Sequence, residues 1–239
     1  MHEIKHGEKI IRFELEIKKV KHINLRVNPD MNVIVSANKD VQIEQIYNFV
    51  LSRADWIEKN VKLYKSTQSE NDYQKEYVNG EDFKYLGKQY RLKIEQTNNI
   101  ECVKLDKDHI TVYVKNIKSI KRKEKLLNDW FHERAKLIFN ECFDSIYNQV
   151  DEYVTTKPLL SLRIMKVRWG SCLRSKNTIS LNLDLIKTPK FCIEYVILHE
   201  LLHFIHPYHN SNFYQHLSIL MPDWKKSKEI LDEEMVKFV

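Results

Sequence analysis

The chain has 239 residues, 43% of them hydrophobic and 30% charged, with a formal net charge of +6 and a pI near 8.9, which is enough to bury a core in one large or two small domains. Only 4 Gly and 5 Pro exclude a disordered or fibrous chain, and no apolar run approaches the roughly 18 residues of a membrane span. The charged N-terminus lacks a secretion signal's apolar core, and Cys102, Cys142, Cys172 and Cys192 lack CxxC spacing, so a cytoplasmic protein with reduced thiols and no membrane partner is expected.

From 8 to 37 the apolar residues alternate: Phe13, Leu15, Ile17, then Ile23, Leu25, Val27, then Val33 and Val35. Period two is the pattern of half-buried strands, and Asn28-Pro29-Asp30 supplies a turn between the second and third. After Asp40 the period turns helical, with Ile43, Ile46, Val50, Ala54, Ile57, Val61 and Tyr64 on one face of a helix ending near 65. The polar stretch 66–76 reads as a flexible connection. Strands resume at Tyr77-Val78, with Asn79-Gly80 as a hairpin signal, then at Tyr85-Leu86 before Gly87, and in the alternation Tyr90, Leu92, Ile94. A last pair, 102–105 and 110–114, is joined across Asp106-Lys107-Asp108.

Around Asn116 the character shifts, which places a domain boundary there: a β-rich domain with one helix over 1–116, then a mostly helical domain with a short sheet over 117–239, α+β overall. One long helix or two in series is expected over 118–153. It opens on Lys118, Lys121, Arg122, Lys123 and Lys125, read as a solvated face in preference to a nucleic-acid site, because no aromatic interleaving accompanies it. Segments 160–167 and 178–183 read as strands, the first ending in Arg168-Trp169-Gly170-Ser171-Cys172. A core helix follows, with Thr188 as N-cap, Pro189 at its first position and Pro207 as its stop. Phe213, Tyr214 and Trp224, on two short helices beyond it, would close the floor of this domain.

That core helix carries His199-Glu200-Leu201-Leu202-His203. Histidines at i and i+4 stack one turn apart and can reach one metal ion, while Glu200, about 100° round the helix, suits a general base better than a ligand. The pattern is the HExxH of zinc hydrolases. Two candidates compete for third ligand. His206 shares the helix face, whereas His209 lies beyond Pro207, where the chain can return; the returning chain completes a tetrahedron more readily, so His209 is preferred.

Arg168-Trp169-Gly170-Ser171-Cys172, the strand Ile179-Ser180-Leu181-Asn182, and 199–213 in the form HExxHxxxxxHxxxF together resemble the YgjP-like metal-dependent hydrolases, a zincin-type metallopeptidase group. The segments His22 to Ala37, Ala54-Asp55-Trp56-Ile57, and Tyr85-Leu86-Gly87 with Tyr90-Arg91-Leu92 extend that resemblance over nearly the whole chain. It implies a minimal zincin domain with His199, His203 and His209 on zinc and Glu200 as base. Tyr214 stands where relatives often carry tryptophan.

The expected activity is zinc-dependent peptide hydrolysis on a peptide or protein substrate. Residues 179–183 are expected to act as an edge strand for the peptide. Tyr208, Tyr214, Arg168 and Asn182 are candidate substrate or transition-state contacts, with packing for the tyrosines and an internal salt bridge for Arg168 as the plainer alternatives. Two other readings stay open: a metal-dependent phosphoanhydride hydrolase acting on nucleoside triphosphates, and a zinc-bearing binding protein without catalysis.

Overall fold

The computed structural model describes residues 1–239 except 8, 29, 72–74, 167, 238 and 239, and for 63, 66–71, 236 and 237 the backbone alone. The fold is α+β, and the chain separates into two compact units, 1–74 with 236–239 and 75–235. The boundary read at 116 therefore falls inside the second unit. Among the described residues no helix is long and apolar enough to cross a membrane.

The first unit is a four-stranded sheet with two helices. Strands β1 (His2–His6), β2 (Lys9–Ile17), β3 (Asn24–Val27) and β4 (Val33–Ala37) lie in the order β1-β2-β4-β3, with β2 and β4 parallel and the other pairs antiparallel. Of the expected 28–30 turn, Pro29 lies outside the described residues; the turn is closed by the Met31 N–H on the Asn28 carbonyl, 2.8 Å. The single expected helix is two, α1 (Ile43–Ser52) and α2 (Ala54–Asn71), broken at Arg53. Ile46, Val50, Ala54 and Ile57 keep their spacing across the break and pack on Phe13 and Val35. Helix α2 runs on to Asn71, so the connection expected at 66–76 is in part helical; 72–74 lie outside the described residues.

The second unit opens with another four-stranded sheet: β5 (Asp82–Tyr85), β6 (Lys88–Gln96), β7 (Cys102–Leu105) and β8 (His109–Val114), in the order β5-β6-β8-β7. Residues 77–80 are not a strand, and the hairpin turns instead at Leu86-Gly87, both with positive φ (48° and 78°), as a two-residue turn between twisted strands requires. Leu92, Ile110 and Val112 face Leu127, Trp130 and Phe131 of helix α3 (Ile120–Tyr147), which binds this sheet to the second unit instead of the first. The basic run that begins α3 is not wholly solvated. Lys123, 5% exposed, donates to the Tyr77 carbonyl at 2.6 Å, and Arg122 pairs with Glu101 at 2.6 Å.

A three-stranded sheet and three helices complete the unit. Strands β9 (Leu159–Arg163), β10 (Gly170–Leu173) and β11 (Thr178–Asn182) lie in the order β10-β11-β9. The segment expected at an edge, 179–183, is thus central and buried through Ile179 and Leu181; the edge nearest the HExxH helix is β10. That helix, α4 (Lys190–Leu202), is capped by Pro189, whose carbonyl receives the Cys192 N–H at 2.9 Å. Thr188 is not the cap, because its hydroxyl donates to the Leu185 carbonyl (2.9 Å) and closes the preceding 3-10 turn. Helix α4 ends at Leu202, five residues before Pro207, and α5 (Ser211–Leu220) and α6 (Trp224–Lys237) follow. Burying Ile193, Ile197, Leu198, Leu201 and Leu202 anchors α4, each side chain contributing about 1.5–3 kcal/mol over its exposed state.

Candidate metal centre

The last turn of α4 presents His199, Glu200 and His203. The chain then leaves the helix, and Asn210 caps α5 by accepting the Phe213 N–H at 3.0 Å, which holds the intervening His209 against the end of α4. His199 Nε2 and His209 Nε2 face each other at 2.9 Å, and the ligand atoms of His199, His203 and His209 all lie within 4.8 Å of one another. Beneath them Phe213, fully buried, touches all three imidazoles, with ring centroids 4.8 to 5.1 Å apart. That explains the phenylalanine four residues after the last histidine.

This arrangement fits a divalent cation. Two ring nitrogens facing each other at such a distance share either a proton or a cation. Nδ1 of His203 lies 3.1 Å from the His206 carbonyl, a contact that fixes the N–H there and leaves Nε2 with its lone pair in the cluster. Burial pushes His199 down to about 3, helped by its neighbours His203 and His209, and burial lowers the other two as well, so all three stay neutral and ligand-competent. His206, which lies past the end of α4, is turned away, its Nε2 against His216 Nδ1 at 3.2 Å, so it does not join the cluster and His209 does.

Glu200 is 7% exposed and forms no ion pair among the described residues. Burial raises its carboxyl to about 7, opposed by the Arg168 charge and by a hydrogen bond from the Cys172 backbone. The shift from 4.5 disfavours the ionised form by about 3 kcal/mol. The grip on Glu200 comes from the edge strand. The Asn182 N–H bonds to the Trp169 carbonyl at 2.8 Å, so 169, 171 and 173 turn their main-chain groups to β11, and Gly170 and Cys172 turn theirs away. Gly170 is where β10 crosses the helix: a Cβ there would sit 2.8 Å from Glu200 Oε1 and 2.9 Å from Val196 Cγ1.

Beside Glu200 opens a cleft of about 310 Å³, lined by Arg168, Trp169, Gly170, Val196 and His199 and closed by Lys228, Leu231, Asp232 and Met235 of α6. The profile of the YgjP-like metallopeptidase domain matches residues 21–234. The chain belongs to the YgjP-like family. No curated protein matches it. Membership makes the chain a hydrolase of a metallopeptidase family, for which the histidine cluster is the candidate metal site.

The other candidate residues of this YgjP-like domain divide. Arg168 lines the cleft with no ion pair among the described residues. Asn182, 1% exposed, is not available to a substrate: its amide donates to the carbonyls of Met165 (2.8 Å) and Arg168 (3.0 Å), and its oxygen accepts from Met165 N–H (3.2 Å). Tyr214 lies against His209 (centroids 6.2 Å) and stacks on Trp224, whereas Tyr208 is 71% exposed and outside the cleft. Two roles escaped the sequence reading: the α6 wall, which has no motif, and the close approach of Gly170 to Glu200, since Gly170 read there only as a structural member of the 168–172 motif.

Proposed function

We propose that the chain is a zinc-dependent peptidase with Glu200 as general base. The observation that carries this reading is the convergence of three neutral imidazole nitrogens next to a dehydrated carboxyl at an open cleft. Nitrogen donors favour zinc over magnesium or calcium, which prefer oxygen. Zinc, when bound, supplies Lewis acidity, lowering the pKa of a water toward about 7 and polarising the scissile carbonyl. Glu200 takes the proton of the attacking water and passes it to the leaving amine, and its raised pKa suits both halves of that transfer. The Cys172 N–H, by favouring the ionised carboxyl, supports the base half of that transfer. The outward main-chain groups of Gly170 and the Cys172 carbonyl align an extended peptide by strand addition.

Two further features favour this reading over the others. A purely structural zinc protein has no need of a carboxyl buried at such cost without an ion pair among the described residues. The cleft offers one cation without an ion pair among the described residues, Arg168, since Lys228 is paired with Asp232, whereas a polyanionic triphosphate calls for several. The test compares zinc-loaded wild type with Glu200→Gln on a peptide library and a nucleotide panel. Peptide cleavage should fall about 10²- to 10⁴-fold with zinc retained. Nucleotide turnover lost in that variant, with no peptide cleaved by wild type, would overturn the peptidase reading.

A further inference from the structure

Resting on that reading, we infer that Arg168 is the anchor of an anionic subsite, and that the enzyme selects peptides carrying a carboxylate next to the scissile bond. Of the four charged groups in the cleft, Lys228 and Asp232 satisfy each other as an i,i+4 ion pair on α6. Glu200 is reserved for the proton. Arg168 is left as a planar, permanently charged fork at the lip, with no acidic partner within ion-pair distance among the described residues. Such a fork matches a carboxylate with two parallel hydrogen bonds.

Its place is fixed from both sides. The Asn182 amide holds the Arg168 carbonyl at 3.0 Å, and the indole N–H of Trp169 donates to the Leu231 carbonyl at 3.0 Å. The backbone that carries the guanidinium is therefore set before substrate arrives, which limits the ordering cost of binding. Asn182 thus serves the substrate indirectly, as a positioning residue. At about 310 Å³ the cleft lies at the small end of ligand pockets, which start at roughly 300 Å³, so it admits one or two residues. Val196, Leu231 and Met235 give it an apolar wall in which an unpaired carboxylate is unwelcome except at Arg168.

The carboxylate has two sources, the side chain of Asp or Glu or a free C-terminus, and matched peptides separate them: Asp or Glu against Asn or Gln beside the scissile bond, and free acid against C-terminal amide. Zinc-loaded wild type should prefer the acid member of at least one pair. In Arg168→Ala the ratio of kcat/KM for acid over neutral peptide should fall about 10- to 100-fold. Arg168→Glu should invert the ratio in favour of Lys or Arg at the same position, an inversion that a merely structural arginine would not produce. A second readout needs no turnover: the preferred acidic peptide, titrated calorimetrically into zinc-loaded Glu200→Gln, should bind with salt-sensitive affinity that the added Arg168→Ala removes. Peptides cleaved with no acid preference, or with one that Arg168→Ala and Arg168→Glu leave unchanged, would overturn the subsite while the peptidase reading stands. No peptide cleaved by wild type, with no acidic peptide bound, would end both.

Discussion

The sheet of residues 2–37 and that of residues 82–114 follow the same path: a hairpin, a parallel step from its second strand, and an antiparallel return, giving the orders β1-β2-β4-β3 and β5-β6-β8-β7. They differ in what covers them and in what their hairpin turns touch. The first closes its own core with α1 and α2. The second shares its core with α3, and its turn reaches the approach to α4: the Leu86 N–H bonds to the Ile186 carbonyl at 2.8 Å and the Gly87 N–H to the Lys187 carbonyl at 3.1 Å. One topology therefore serves in one place as a self-contained module and in another as the footing of the helix that carries the HExxH histidines. The strand path is common; the contact at a two-residue turn decides which sheet bears on the chemistry.

That contrast can be broken or sharpened by substitution. The scale is set inside the centre, where His203→Ala should bring zinc content from one per chain to near none, read by metal analysis after gel filtration. Gly170→Ala comes next. Its methyl displaces Glu200 and not a ligand, so zinc should stay while kcat/KM falls about 100-fold, the effect of a misplacement near 1 Å. The two hairpins then compare directly. Gly7→Ala, at φ 61° with nothing within 4 Å of the new Cβ, should cost only the left-handed strain of about 1–2 kcal/mol and leave zinc affinity alone. Gly87→Ala carries the same strain, and its Cβ would also lie 2.7 Å from Pro189 Cγ at the cap of α4, adding about 1–3 kcal/mol of overpacking and weakening zinc binding. Equal effects of the two on denaturant midpoint and on zinc affinity would erase the distinction between the sheets.

The smallest effects concern pH. The three histidines have lowered pKa values, so protons displace zinc only below the ordinary 6.5, and a zinc-retention titration should show its midpoint there. Glu200 has the opposite shift, and as the proposed base it must be ionised, so kcat/KM should rise with pH along an acid limb no higher than about 7, since a cation in the triad stabilises the ionised carboxyl. Glu200→Gln should abolish that limb.

The approach of three histidines was legible because a helix converts i, i+4 spacing into a shared direction, and because Pro207 bars a helix from continuing to His209. Long alternations were legible for the same kind of reason, as in Phe13 to Val35. What stayed hidden has no local signature. Strand β1, His2–His6, contains a single apolar residue, Ile4, and shows no period. The break at Arg53 leaves the apolar spacing on either side intact. The central position of 178–182, the parallel pairings and the loyalty of the second sheet to α3 are all decided by residues distant in sequence. Asn182 looked like a site residue because it is polar beside a motif, but a buried amide with two carbonyls in reach satisfies them first.

The bond from residue 172 to Glu200 is made by the main chain. The cysteine thiol can be replaced by alanine without removing the donor, so Cys172→Ala should leave the carboxyl its backbone partner. Only proline lacks the N–H, and an outward-facing position on an edge strand is one of the few that tolerate it. Cys172→Pro both deletes that N–H and sets the ring Cδ where it pointed at Glu200, and its expected signature is a loss of turnover with zinc content intact, read by metal analysis.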